Sequence, residues 1–280
     1  MPEGHTLHRL AGELTAAFGG RQVRVGSPQG RFADSAALLD GGEVERAEAW
    51  GKHLFVAFPA DRFVHVHLGL YGHFDVHAGV EDVPDPVGQV RLRLVTVAAD
   101  AYADLRGATT CELVTREQRD TVVERSGPDP IRPDSSWEPA WERVRRSRAP
   151  IGGLLMDQSV IAGVGNVYRA ELLFRHRMHP LRPGNTLRVG RFREMWEDLV
   201  VLMAEGVRTG RIDTVRPEHT PEAMGRPPRV DDHGGEVYVY RRTGQPCHVC
   251  GAGVRTEVLL GRNLFWCPRC QPRFRSRAVQ

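Results

Sequence analysis

The sequence predicts an α+β chain: a β-rich first part opened by one helix, a helical second part, and a small metal-binding module at the end. Three observations predict it. The hydrophobic period is helical over residues 4–18, alternates as in strands up to about residue 97, and is helical again from residue 139. A segment with three prolines and a glycine, Ser126–Ser136, separates the two regimes. Four of the five cysteines stand in two Cys-x2-Cys pairs near the end. At 280 residues the chain is long enough for one large domain or two ordinary ones, and 41% hydrophobic residues is usual for a globular protein.

The elements follow in order. Leu7, Leu10, Leu14 and Phe18 recur at helical spacing, with Ala11 and Ala17 filling the stripe, so residues 4–18 form an amphipathic helix. Val23 and Val25, Leu54–Phe58, Phe63–Leu68 and Val90–Val97 read as strands. Turns at Gly41-Gly42, Pro59–Asp61 and Pro84–Gly88 separate them. Residues 1–125 thus make one β-rich domain. Residues 126–235 hold a linker, helices at Pro139–Arg148, Ile151–Asp157, Asn166–Phe174 and Thr186–Val207, and a Pro- and Gly-rich mobile loop from Asp213 to Gly235. Residues 236–280 open with a strand, Glu236–Tyr240, and carry the cysteines. No apolar run approaches the ~18–20 residues of a membrane span, and no secretory signal opens the chain. A cytoplasmic protein without a membrane partner is expected.

Cys247-x2-Cys250 and Cys267-x2-Cys270 offer four thiolates for one structural, tetrahedral Zn2+, on two turns at the tips of a hairpin. Cys111 is read as a buried thiol. A zinc ribbon is a scaffold and does not identify a function. The strand between the pairs carries Arg255 and Arg262, suited to phosphate.

The net charge is only +3, but Glu236–Gln280 holds eight Arg against two Glu, a local +6 over a body of −3. With four thiolates on one zinc the tail is nearer +4. Either a polyanion partner or a solvated basic terminus accounts for this. Lys52 is the one lysine in the chain. A genome that writes Arg wherever Arg serves would leave a lysine where proton release or a compact ammonium is needed, or by chance.

Three further segments carry possible chemistry. Removal of Met1 would leave Pro2 with a secondary amine. An α-amine titrates near ~8 against ~10.4 for lysine, so it is a better nucleophile toward an aldehyde-like carbon at neutral pH. Glu3 beside it would move protons, or merely favour the helix dipole. Gly163-Val164-Gly165-Asn166 joins two helices, either as an anion cradle or as an ordinary corner. His65 and His67 share a strand face with His53 and His73 nearby, but the sequence shows no carboxylate partner that would favour a metal.

The chain resembles the formamidopyrimidine-DNA glycosylase / endonuclease VIII family. The resemblance rests on Met1-Pro2-Glu3-Gly4, Gly51-Lys52-His53-Leu54, His67-Leu68-Gly69-Leu70-Tyr71-Gly72 and Arg125-Ser126-Gly127-Pro128-Asp129. It continues in Leu155-Met156-Asp157-Gln158, Ala162-Gly163-Val164-Gly165-Asn166 and Gly261-Arg262-Asn263-Leu264-Phe265-Trp266-Cys267-Pro268-Arg269-Cys270. It implies an N-terminal β-sandwich and a C-terminal domain with a helix–two-turn–helix motif and a zinc hairpin, with damaged DNA in the cleft between. It implies base excision and strand cleavage through a Schiff base at Pro2, with Glu3 serving base release and Lys52 contacting phosphate and assisting elimination. Asn166 and Arg262 would clamp phosphate, Arg262 thereby serving catalysis, and Arg125 would add a contact. Leu70 and Tyr71 would fill the gap left by the flipped base. A monomer without a nucleotide cofactor is expected.

Some positions depart from the family pattern. His5-Thr6 stands where Pro-Glu is frequent, which removes a carboxylate. Gly69 stands where relatives of endonuclease VIII carry a polar wedge residue. Arg106, in Asp104-Leu105-Arg106, resembles the wedge arginine of the formamidopyrimidine branch. Gly4 and Leu70-Tyr71-Gly72 favour the endonuclease VIII branch and hence oxidised pyrimidines. The alternatives are the same fold acting on oxidised purines or abasic sites, and a catalytically weak zinc-dependent DNA-binding protein. An N-terminal-proline tautomerase is disfavoured, since such enzymes resemble short chains without a zinc module.

Overall fold

The computed structural model describes residues 2–230 and 235–274, and the chain divides into two compact units, residues 1–125 and 126–280.

The first unit begins with α1 (Gly4–Phe18), which buries Leu7, Leu10, Ala11, Leu14, Ala17 and Phe18, the whole apolar stripe of the sequence. Each such leucine contributes about 1.5–3 kcal/mol on burial. There follow β1 (Arg21–Gly26), α2 (Ala33–Leu39), β2 (Glu43–Val44), β3 (Arg46–Trp50), β4 (His53–Phe58), β5 (Arg62–His67), β6 (His73–Ala78), β7 (Val90–Thr96), β8 (Ala101–Arg106), β9 (Thr110–Thr115) and α3 (Arg116–Arg125). The strands form an antiparallel five-stranded sheet, β2-β1-β7-β8-β6, and an antiparallel four-stranded sheet, β3-β4-β5-β9. Val23, Val25, Leu92, Leu94 and Leu105 of one sheet share an apolar cluster with Leu54, Val56, Val64 and Val66 of the other and with α1. This is the β-sandwich the resemblance implies. Cys111 is buried in that cluster, and burial pushes its thiol up to about 12. The other face of the four-stranded sheet carries Phe55, Ala57, Phe63 and Val114, covered by Val122 and Val123 of α3.

The second unit contains α4 (Glu138–Val144), α5 (Ile151–Leu154), α6 (Asn166–Arg175), α7 (Val189–Thr209), α8 (Pro221–Met224) and the hairpin β10 (Arg255–Leu259)–β11 (Arg262–Trp266). One core joins Val167, Leu172 and Phe174 of α6, Phe192, Met195 and Leu199 of α7, and Phe265, Cys247 and Cys267 of the zinc module. The module is therefore docked, not tethered.

The structure revises three readings. Ser126–Ser136 is not a loose linker. Gly127 N–H donates to the Gln158 carbonyl at 2.8 Å, and Asp129 is buried with its carboxylate accepting from Ile131 N–H at 2.9 Å. Glu236–Tyr240 is not a strand. All five side chains are buried rather than alternating, and the N–H groups of Tyr238, Val239 and Tyr240 converge on the Glu171 carboxylate at 2.6–2.9 Å. A segment that spends three successive amides on one carboxylate has none left for a ladder. In the expected loop, Arg226 pairs with Glu236 at 2.7 Å and Asp213 accepts from Glu236 N–H at 2.7 Å, while residues 231–234 lie outside the described residues.

Candidate active site

In the first unit the chain enters α1 through Glu3, whose backbone is extended (φ −121°, ψ 178°) and which is fully buried; Pro2 is half-buried. Met1, whose removal the amine chemistry requires, lies outside the described residues. His5 is also buried, and that burial lowers its pKa to about 4, so it is a neutral imidazole at physiological pH.

Lys52 sits in the two-residue turn Gly51-Lys52 that joins β3 to β4, closed by the Trp50–His53 pair. Gly51 takes φ +56°, the left-handed backbone that the first position of such a turn demands of glycine. The turn leaves Lys52 half-buried.

Leu70 and Tyr71 lie in the loop between β5 and β6. Leu68 is 2% exposed and anchors the loop, and Gly72 N–H closes it onto the Leu68 carbonyl at 3.0 Å. Leu70 is 40% and Tyr71 85% exposed, so the loop holds two apolar side chains out in solvent. Gly69 has φ +69°, and a Cβ there would collide with the Thr109 side chain. Glycine thus suits the position, and no polar side chain projects from it.

Arg106 is differently placed. Its guanidinium donates to Asp75 at 3.0 Å, Asp104 at 2.9 Å and the Val87 carbonyl at 3.1 Å. This is the geometry of a structural clamp between β6, β8 and the 84–88 loop. Arg125 is exposed at the end of α3.

The histidines separate. His73, on β6, belongs to the other sheet, while His53, His65 and His67 share the outer face of β4 and β5. The carboxylate missing from the sequence reading is present: Glu112, on β9 beside His65 in register, meets His65 Nδ1 at 2.9 Å. A partner 47 residues away is visible only once strand pairing is known.

In the second unit, Gly163, at φ +87°, lies in the turn before α6, which starts at Asn166. Gln158 braces that turn, accepting from Gly163 N–H at 3.0 Å and donating to the Val164 carbonyl at 2.8 Å. Asn166 is buried and its Oδ1 accepts from Arg169, which also donates to the carbonyls of Gly152 (3.2 Å) and Asn263 (3.0 Å). Arg169 therefore ties the glycine turn to the β10–β11 hairpin beside Arg262. Both arginines line a cavity of about 480 Å3 with Met156, Asp157 and Leu260. Sequence reasoning missed Arg169; its one signal is an arginine one helical turn after Asn166 on α6.

Cys247, Cys250, Cys267 and Cys270 place their Sγ atoms within 4.8 Å of one another. The Cys247–Cys270 and Cys250–Cys267 separations are 3.9 and 3.4 Å. Tetrahedral zinc with ~2.3 Å bonds to sulfur needs about 3.8 Å between sulfurs, so the four thiolates fit one zinc ion. Both cysteine turns sit at the open end of the hairpin, opposite its Leu260-Gly261 tip, next to which Arg262 is exposed. Gln271 fastens this end, accepting from Cys267 N–H and donating to the Met178 carbonyl, each at 2.9 Å.

In chain order these are the parts of a zinc-finger DNA glycosylase, and comparison with known proteins agrees. The formamidopyrimidine-DNA glycosylase N-terminal domain model matches residues 1–111, the H2TH domain model of the same enzymes residues 126–217, and the zinc finger found in FPG and IleRS residues 244–273. Endonuclease 8 1 of Mycobacterium tuberculosis and of Mycobacterium bovis are each 55% identical over 97% of this chain and all of theirs. The formamidopyrimidine-DNA glycosylase of Parasynechococcus marenigrum is 29% identical over 97% of this chain and 99% of its own. Lactococcus lactis Fpg, solved with DNA containing N7-benzyl-Fapy-dG, has the same fold, with a TM-score of 0.77 at 22% identity over 97% of this chain and all of that one. The chain belongs to the formamidopyrimidine-DNA glycosylase / endonuclease VIII family. It is a base excision repair glycosylase with AP lyase activity, as members of that family are. Among the described residues no helix is long and apolar enough to cross a membrane.

Proposed function

We propose that the protein removes oxidised pyrimidines from DNA through a Schiff base at Pro2 and then cleaves the strand by elimination. The observation that carries this is the start of the chain: a half-exposed Pro2 followed by a fully buried carboxylate at Glu3. The Pro2 amine attacks C1′ of the damaged nucleotide and loses its proton as the base departs with the electron pair of its glycosidic bond; the C1′–O4′ bond then breaks toward O4′, which takes a proton, and the Pro2 nitrogen becomes an iminium. Glu3 handles the protons of base release and sugar opening. Lys52 holds phosphate at the lesion and assists elimination. Leu70 and Tyr71 occupy the gap left by the flipped nucleotide, offsetting part of an unstacking cost of a few kcal/mol. Arg106, with its guanidinium bonded to Asp75, Asp104 and the Val87 carbonyl, holds β6, β8 and the 84–88 loop together instead of entering the stack. Asn166, whose oxygen is engaged by Arg169, meets phosphate with its NH2; Arg262 supplies the second clamp and Arg125 an outlying contact. Zinc holds the hairpin that presents Arg262. The enzyme works as a monomer without a nucleotide cofactor. The preference for pyrimidines is supported by 55% identity to endonuclease 8 proteins against 28–34% to the formamidopyrimidine-DNA glycosylases among its relatives.

Borohydride trapping tests the assignment. The native chain should form a covalent complex with an oligonucleotide carrying an oxidised pyrimidine or an abasic site. A chain with an N-terminal extension, in which Pro2 has no amine, should not. Trapping that persists in the extended chain would overturn the role of Pro2. Faster excision of an oxidised purine than of every oxidised pyrimidine in a panel would overturn the substrate class.

A further inference from the structure

We propose that Glu112 and His65 are positioning residues that fix the tautomer of His53 and through it hold Lys52. Three hydrogen-bonding groups stand in line across three neighbouring strands. Glu112 Oε1 on β9 lies 2.9 Å from His65 Nδ1 on β5, and His65 Nε2 lies 2.9 Å from His53 Nδ1 on β4. An ionised carboxylate only accepts, so His65 carries its proton on Nδ1 and leaves Nε2 as a lone pair. That lone pair takes the proton of His53 Nδ1, and His53 is left with an unprotonated Nε2. The order is unique as long as both rings are neutral. His65 is buried and stacks on Phe55 at 4.8 Å between centroids. Burial lowers the His53 pKa to about 3, and the Lys52 ammonium acts in the same direction.

The relay ends at His53, which follows Lys52 in the chain and pairs with Trp50 to close the Gly51-Lys52 turn. An imidazole lone pair attracts an ammonium, whereas an imidazole N–H repels it. By fixing which His53 nitrogen holds the proton, Glu112 sets from the edge of the sheet the polarity that His53 presents at the turn carrying Lys52. His67 does not compete for His65. Its Nδ1 accepts from Gly69 N–H at 3.2 Å and meets Thr109 Oγ1 at 3.0 Å. Among the described residues only the four cysteines bring three or more candidate ligand atoms together, so the histidine row is read as a hydrogen-bond relay.

The inference rests on the role of Lys52 proposed above, and the test separates the two. Glu112 has a 55% exposed side chain, so Glu112→Gln should fold. An amide either donates or accepts, so it no longer dictates a tautomer. Nitrogen-15 NMR of the histidines should show Nδ1–H rings at His53 and His65 in the native enzyme, and mixed tautomers in Glu112→Gln. Strand cleavage at a preformed abasic site should slow roughly tenfold in Glu112→Gln, the usual scale for a hydrogen bond to a charged group. In a Lys52→Arg background the same change should cost less than about twofold, since interacting residues are not additive. Nε2–H rings at both positions in the native enzyme would overturn the relay, and so would an equal slowing in both backgrounds. Wild-type cleavage by Lys52→Arg alone would overturn the role of Lys52, and the NMR spectrum would then decide by itself whether the relay exists.

Discussion

Lys52 is the residue on which sequence, geometry and chemistry bear most directly. It stands alone among arginines, in a turn that needs Gly51 ahead of it and puts His53 behind it. If phosphate alone had to be held, the planar fork of Arg would serve; Arg cannot release a proton at neutral pH and is bulkier than an ammonium. Lys52→Arg should therefore keep the fold and most of the DNA affinity, and slow excision or strand cleavage by at least about tenfold, or ~1.4 kcal/mol of barrier. Single-turnover kinetics on an oxidised pyrimidine and on a preformed abasic site would assign the loss to one step. Native rates in both would show that the lone lysine carries no special chemistry. Gly69 is a second position where a departure from relatives has a local cause. Its left-handed backbone disfavours a side chain and a Cβ would press on the Thr109 side chain, so glycine suits the position and no polar side chain projects from it.

At the scale of elements, one carboxylate organises much of the second unit. Glu171, on α6 and fully buried, accepts from Tyr238, Val239 and Tyr240 N–H and from Thr214 Oγ1 at 2.6–2.9 Å. It thus anchors the chain that leads into the zinc module. Glu171→Gln replaces two acceptor oxygens by one and brings an NH2 against backbone donors. It should cost about 3 kcal/mol, the scale of breaking a buried charged network. Urea denaturation would measure it, and a loss below about 1 kcal/mol would mean that the Tyr238 segment is held by packing alone. The same element shows where sequence reading stops. Helices α1, α6 and α7 were legible because their apolar stripes repeat at helical spacing over ten residues or more. Residues 236–240 were misread because Val-Tyr-Val-Tyr alternates in sequence while every side chain is buried, and the deciding partner lies 67 to 69 residues away. The site divides in the same way. The cysteines were legible from their spacing, whereas Pro2, Glu3 and Lys52 stood out by chemical type and took their proposed roles from the family resemblance. Glu112, Arg169 and Gln271 act through long-range pairing that spacing does not record.

Two properties of the whole molecule follow from charge. The first is acid sensitivity. His5 and His53 are held neutral in the fold, with pKa values lowered to about 4 and about 3, first by burial. Unfolded, each titrates near ~6.5, so between that value and the folded one the unfolded chain binds more protons. Their contribution is complete above about pH 6.5 and is lost as pH falls, at ~1.4 kcal/mol per unit for each histidine. Zinc release by protonated thiolates adds its own loss. The histidine part is therefore read as a difference: His5→Gln should lose less stability between pH 7 and 5 than the native chain. Equal losses would show that His5 is protonated in the folded protein. The second property is salt dependence. The chain as a whole is only +3, yet the zinc-bearing end is strongly basic and its exposed Arg255 and Arg262 lie on the hairpin. A protein that neutralises six phosphates has a log–log slope of about −5, so affinity for lesion DNA should fall by roughly 10³-fold between about 50 and 200 mM salt. Arg262→Ala should weaken binding and make that slope shallower by about 1, because one fewer counterion is released. Gln271→Ala loosens the hairpin without removing a charge, so it should weaken binding while leaving the slope near its native value until the hairpin no longer docks. Filter-binding or anisotropy titrations across a salt series would separate these outcomes. A native slope shallower than about −2 would mean that the basic end is a solvated terminus and that the zinc hairpin does not grip the DNA backbone.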